Sequence, residues 1–81
     1  MNRTQHMKAD MLLLGYTNEG VHALIDIFVK YLGAGHRVVR HNYDYVVEIE
    51  RLFGNDCGRI ALLHILIDSD IIDRKLIEQY I

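Results

Sequence analysis

The segment Arg59-Ile60-Ala61-Leu62-Leu63-His64-Ile65-Leu66-Ile67 is apolar almost all round, and its reading decides the fold. Periodicity alone fits either a buried helix or a buried strand. A helix is favoured because the chain offers no second strand for a lone one to pair with. The flanking segments agree. Residues 18–32 carry Val21, Leu24, Ile25, Phe28, Val29 and Leu32 as an i, i+3, i+4 stripe, with Asn18 suited to the N-cap and Gly33 to the stop. Residues 37–53 form a second amphipathic helix ending at Gly54. Residues 4–14, with Met7, Met11 and Leu14 at helical spacing, end at Gly15. Residues 70–80 place Ile72, Leu76, Ile77 and Tyr80 on a last helix, for which Ser69 is the expected cap. The expectation is an all-α bundle of four to five short helices forming one domain over 1–81.

With 81 residues, such a bundle has an adequate but thin core. Chains near this size usually gain a disulfide, a metal or a partner subunit. Cys57 is the sole cysteine and its expected place is a loop, so an internal disulfide is excluded and no zinc-knuckle spacing exists. Apolar residues at 51% with charged residues at 25% indicate a folded globular chain, not a disordered one. No apolar run approaches a membrane span, and the first residues have no signal-peptide core, so the expected location is the cytoplasm. A net charge of −2 and the lack of any recognition motif argue against nucleic acid as a partner.

The five histidines hold the chemical information. His22-x3-Asp26 and His64-x3-Asp68 each set an imidazole and a carboxylate one helical turn apart, able to chelate an ion or to hydrogen-bond each other. His22 falls on the margin of its apolar stripe, where a plain surface pair is the simpler reading. His64 interrupts an apolar run, so a backbone-satisfied core histidine and a ligand pointing into the bundle are comparable readings. His41 lies on the margin of its own helix. His22, Asp26, His41 and His64 are therefore the expected ligands of a divalent ion, Zn, Mn, Fe or Ni. His6, His36 and Asp68 would complete a second metal position or support the ligating rings. The cluster His36-Arg37-x2-Arg40-His41 has a competing use as an anion-binding mouth for a phosphate or carboxylate.

These spacings, together with Glu50-x-Leu52-Phe53-Gly54, resemble a family of small bacterial and phage proteins of unknown function. That family carries a His-x3-Asp … HR-x2-RH … Phe-Gly … His-x3-Asp pattern. The resemblance runs from about Gln5 to the C-terminus and implies a shared site comprising His6, His22, Asp26, His36, His41, His64 and Asp68. The family's prolines near both ends have no counterpart here. It implies no reaction.

Three functional expectations follow. The first is a metal-binding bundle, with hydrolysis through a metal-activated water and Asp26 or Asp68 as base a lesser expectation. The second is a non-catalytic binding module, phage-encoded and then in the host cytoplasm, acting on a host protein or a small anionic ligand. The third is a helical homo-oligomer whose histidines serve only the core.

Overall fold

The computed structural model describes residues 1–26 and 43–81. Among them are five helices and no strand: α1 Arg3–Leu13, α2 Glu19–Asp26, α3 Tyr43–Phe53, α4 Asn55–Asp68 and α5 Arg74–Glu78. The all-α expectation holds, and residues 59–67 lie wholly within α4. The later parts of the helix expected over 18–32, and the start of the one expected over 37–53, lie outside the described residues. No described helix is long and apolar enough to cross a membrane.

α1 begins with a reciprocal cap. The Asn2 side chain accepts from the Gln5 backbone N–H at 2.8 Å, and the Gln5 side-chain oxygen Oε1 accepts from the Asn2 backbone N–H at 3.0 Å. Caps of this kind contribute about 1 kcal/mol. The helix stops where Gly15 takes φ +83°. Gly54, at φ +100°, ends α3 and is at once the N-cap of α4, so no loop separates them. The expected loop at Cys57 is therefore corrected: Cys57 lies in the first turns of α4, and the Asn18 side-chain amide faces its sulfur at 3.9 Å.

Two further expectations are corrected at the C-terminal end. Ser69 caps the end of α4, which is closed by Asp70 at φ +59° and by the Ile71 N–H donating to the Leu66 carbonyl. A left-handed residue after the last turn is the usual way to stop a helix. The last helix is shorter than 70–80, and its cap is Asp73, which accepts from the Lys75 N–H at 2.9 Å. Within it Ile77 is buried and Leu76 exposed, and Tyr80, beyond its end, is exposed too.

α4 is the central element. On its helical wheel, at about 100° per residue, His64 falls between Ala61 and Ile65 on one side and Leu63 and Ile67 on the other. Ile60, Ala61 and Ile65 pack with Val21, Ile25, Val46 and Ile49 of α2 and α3. Leu63 and Ile67 pack with Ala9 of α1 and Ile77 of α5. His64 is thus the polar seam between two small apolar clusters.

Among the described residues the α3–α4 contact is the most extensive, and Gly58 is packed tightly within it. A β-carbon there would meet Glu50 Cβ at 2.8 Å and Glu50 Cα at 3.3 Å. Gly58→Ala would gain about 0.5–1 kcal/mol of helix propensity. Because the obstacle is backbone and the root of a side chain, overpacking of about 1–3 kcal/mol should win. Urea denaturation of the variant should show a net loss of stability.

The orientation of α1 departs most from expectation. Met7, Met11 and Leu14 stand at helical spacing, yet the residues α1 buries are His6, Ala9 and Asp10, and of that row Leu14, the C-cap, packs against both apolar clusters. On the wheel the buried three sit about 130° away from the methionine row. The helix turns its polar face inward, and Met11, Leu12 and Leu13 are left half exposed.

Candidate metal centre

His6, Asp10, His22 and His64 are the only buried polar residues among the described ones, none more than 2% exposed. All four belong to one cluster where α1, α2 and α4 meet. The His6 and His64 rings stack at 3.9 Å between centroids and 9° between planes, and the His22 ring lies 5.0 Å from that of His64. One nitrogen from each ring lies within 4.8 Å of those of the other two.

Carboxylates occupy the Nε2 side of every ring. His6 Nε2 is 3.0 Å from Asp68 Oδ1, and His64 Nε2 is 3.1 Å from Asp68 Oδ2. His22 Nε2 lies 2.5 Å from Asp10 Oδ2, which also accepts from the Thr17 hydroxyl at 2.6 Å. Asp26 Oδ1 stands 3.7 Å from His64 Nε2, within ion-pair reach. An ionised carboxylate only accepts, so each Nε2 facing one carries the proton. The lone pairs left for other work are on Nδ1.

Those Nδ1 atoms are incompletely provided for. His22 Nδ1 and His64 Nδ1 are 2.7 Å apart, a distance that requires one shared proton, since two N–H groups or two bare lone pairs would repel. Burial holds the His64 imidazole below its usual range, against the opposing pull of Asp68. His6 Nδ1 is buried without a hydrogen-bond partner, as is Asp10 Oδ1. An orphaned buried polar atom costs about 1–3 kcal/mol.

The depressed His64 pKa fixes a sign for pH dependence. Unfolded, His64 titrates near 6.5 and binds a proton that the folded state resists. Its stabilising contribution is complete above that value and is lost as pH falls below it toward the folded pKa. Chelated protein should therefore lose stability from pH 7 to pH 5, by up to about 1.4 kcal/mol per pH unit for one proton. Urea midpoints across that range should show the slope, and His64→Gln should flatten it.

Of the residues singled out in the sequence, His6, His22, His64, Asp26 and Asp68 come together here. His36, Arg37, Arg40 and His41 lie outside the described residues, and with them both the fourth expected ligand and the anion mouth. His22 is not marginal as expected but fully buried, because α1 covers its flank. It does not pair with Asp26 either, since Asp10 and His64 take its two nitrogens. The carboxylates are largely exchanged between helices: α2 His22 uses α1 Asp10, α1 His6 uses α4 Asp68, and α4 His64 uses Asp68 with α2 Asp26 nearby. Asp10 and Thr17 were missed. The available signal was His6-x3-Asp10, a third copy of the spacing already noticed twice. Asp68 ends α4, where the helix dipole disfavours an anion, and the two imidazoles it accepts from offset that cost.

No family model, curated protein or solved structure matches the chain.

Proposed function

We propose that this chain is a metal-binding helical protein in which His6, His22 and His64 hold one divalent transition-metal ion. The observation that carries the reading is the division of labour on the rings. Each Nε2 lies against a carboxylate, while three imidazole nitrogens lie within 4.8 Å of one another. Ligating imidazoles characteristically hand their second nitrogen to a carboxylate, which fixes tautomer and orientation. Asp10 and Asp68 serve as these supports. Three nitrogen donors suit Zn, Fe, Ni or Cu better than Mn, Mg or Ca.

The ion replaces the proton between His22 and His64. Two nitrogens on one tetrahedral zinc stand roughly 3.3–3.4 Å apart, given Zn–N bonds of about 2.0–2.1 Å, so the 2.7 Å pair must open on loading. Burial of all three rings supports a structural centre that ties α1, α2 and α4 together. Hydrolysis has less support. Asp26 and Asp68 approach His64 at Nε2, across the ring from the nitrogen left for an ion, so neither is placed as a base for metal-bound water.

Metal analysis of the purified, untagged chain tests the assignment. About one ion per chain is expected, falling to a trace in the double variant His6→Ala, His64→Ala. Protein that arrives metal-free and takes up neither zinc nor nickel on dialysis would sink it. The 2.7 Å contact favours one second reading, a core hydrogen-bonded by shared protons alone. That reading expects a melting temperature indifferent to chelators.

A further inference from the structure

An imidazole holds an ion through a nitrogen lone pair, which lies in the plane of the ring. The His6 and His64 rings stack 3.9 Å apart and only 9° from parallel, so their planes do not meet anywhere near the cluster. No single point lies in both planes at bonding distance. His22 is better placed, its ring tilted by 32° to that of His64 and by 25° to that of His6. An ion shared by all three rings therefore requires His6 and His64 to unstack.

Resting on the metal reading above, we propose that ion binding tilts α1 about Gly15, so that the centre is an ion-responsive switch and not a passive clamp. His64 is the fixed ring of the stacked pair, because α4 packs on apolar clusters to either side of it. His6 is 2% exposed, and a close-packed interior gives no room for a wide swing of the ring in place. Its helix moves instead. α1 buries one apolar residue, Ala9, and its N-terminal end adds only the partly buried Met1.

The pivot lies at the other end. Leu14 packs against both apolar clusters and anchors the end of α1. Gly15 follows at φ +83°, with nothing within 4 Å of where a β-carbon would stand, so rotation at this residue meets no obstacle. Along the helix axis Asp10 lies about 7.5 Å from Gly15 and His6 about 13.5 Å. A tilt displaces His6 almost twice as far as Asp10, and Asp10 keeps its contacts with His22 and Thr17. Helix shifts in switching proteins run to about 1–2 Å, which at His6 corresponds to a tilt of about 4–8°. Arg3, Met7 and Met11 wall an outward groove together with Tyr80 and Ile81, so the tilt changes its width and expresses ion occupancy on the surface.

Residual dipolar couplings of the backbone amides give the direction of α1 relative to α4. They are measured on the purified full chain with a strong chelator and again with one equivalent of zinc, with metal content determined on the same samples. A turn of α1 by about 4–8° is expected, while α3 and α4 keep their mutual angle. His6→Phe keeps a flat ring against His64 but removes the nitrogen, so zinc should leave α1 of this variant where it was. One bound ion with α1 unmoved would overturn the switch and leave the metal reading standing. So would an equal turn in His6→Phe. Protein that takes up no zinc overturns the switch, and if it refuses nickel too the metal reading falls with it.

Discussion

Chelation of the purified protein is expected to lower its melting temperature by roughly 15–30 °C. An ion that binds only the folded state adds about 4 kcal/mol when its free concentration is a thousand times the dissociation constant. For a domain of 60–100 residues each kcal/mol moves the midpoint by about 4–8 °C. The size of the effect reflects what the ion replaces. Without it the junction of α1, α2 and α4 contains three imidazoles, a His6 nitrogen with no partner and a buried Asp10 oxygen in the same state. Few apolar contacts are available to compensate there, because α1 contributes only Ala9 to the buried hydrophobic residues. Calorimetric scans with and without a strong chelator, followed by readdition of zinc, measure the shift directly. An unchanged midpoint would leave the hydrogen bonds among these histidines and Asp10 and Asp68 to hold the junction without an ion.

Asp10→Ala is expected to be the most damaging single substitution in the cluster, at about 3–5 kcal/mol. Asp10 is completely buried and accepts from both His22 and Thr17 through one oxygen. Its removal strands a buried imidazole N–H and a hydroxyl. Asp26→Ala, by contrast, touches a partly exposed carboxylate at 3.7 Å and should cost no more than about 1 kcal/mol. Denaturation in urea at pH 8 with chelator present separates this effect from metal loss. In the absence of chelator, Asp10→Asn keeps the shape but weakens the orientation of His22, and metal affinity should fall about 10–100-fold. Equal losses for Asp10→Ala and Asp26→Ala would show that the burial of Asp10 does not govern the site.

Much of the fold is legible in the chain because helices announce themselves locally. Gly15 and Gly54 mark stops with backbone angles that other residues rarely adopt, and the stripes of α2 and α3 name the residues they bury. α4 is legible as buried from its composition, and as a helix only through the lack of a strand to pair with, since an all-round apolar run has no periodicity to read. α1 misleads for the opposite reason. Its clearest apolar row, Met7 and Met11, faces outward, and its buried row is His6, Ala9 and Asp10. A rule that sends apolar residues inward fails where a helix is recruited to deliver polar groups to a site.

The sequence by itself therefore determined that this chain is helical, where most of its helices stop, and that histidine and aspartate one turn apart are its chemical signature. Spacing within a helix is a local property, fixed by 3.6 residues per turn. Which histidine uses which aspartate was decided only by the tertiary structure. His22 passes over Asp26 for Asp10, and His6 passes over Asp10 for Asp68, because packing three helices around α4 places carboxylates of neighbouring helices against the Nε2 atoms. Pairing across helices depends on crossing angle and rotation, which no spacing along one helix encodes.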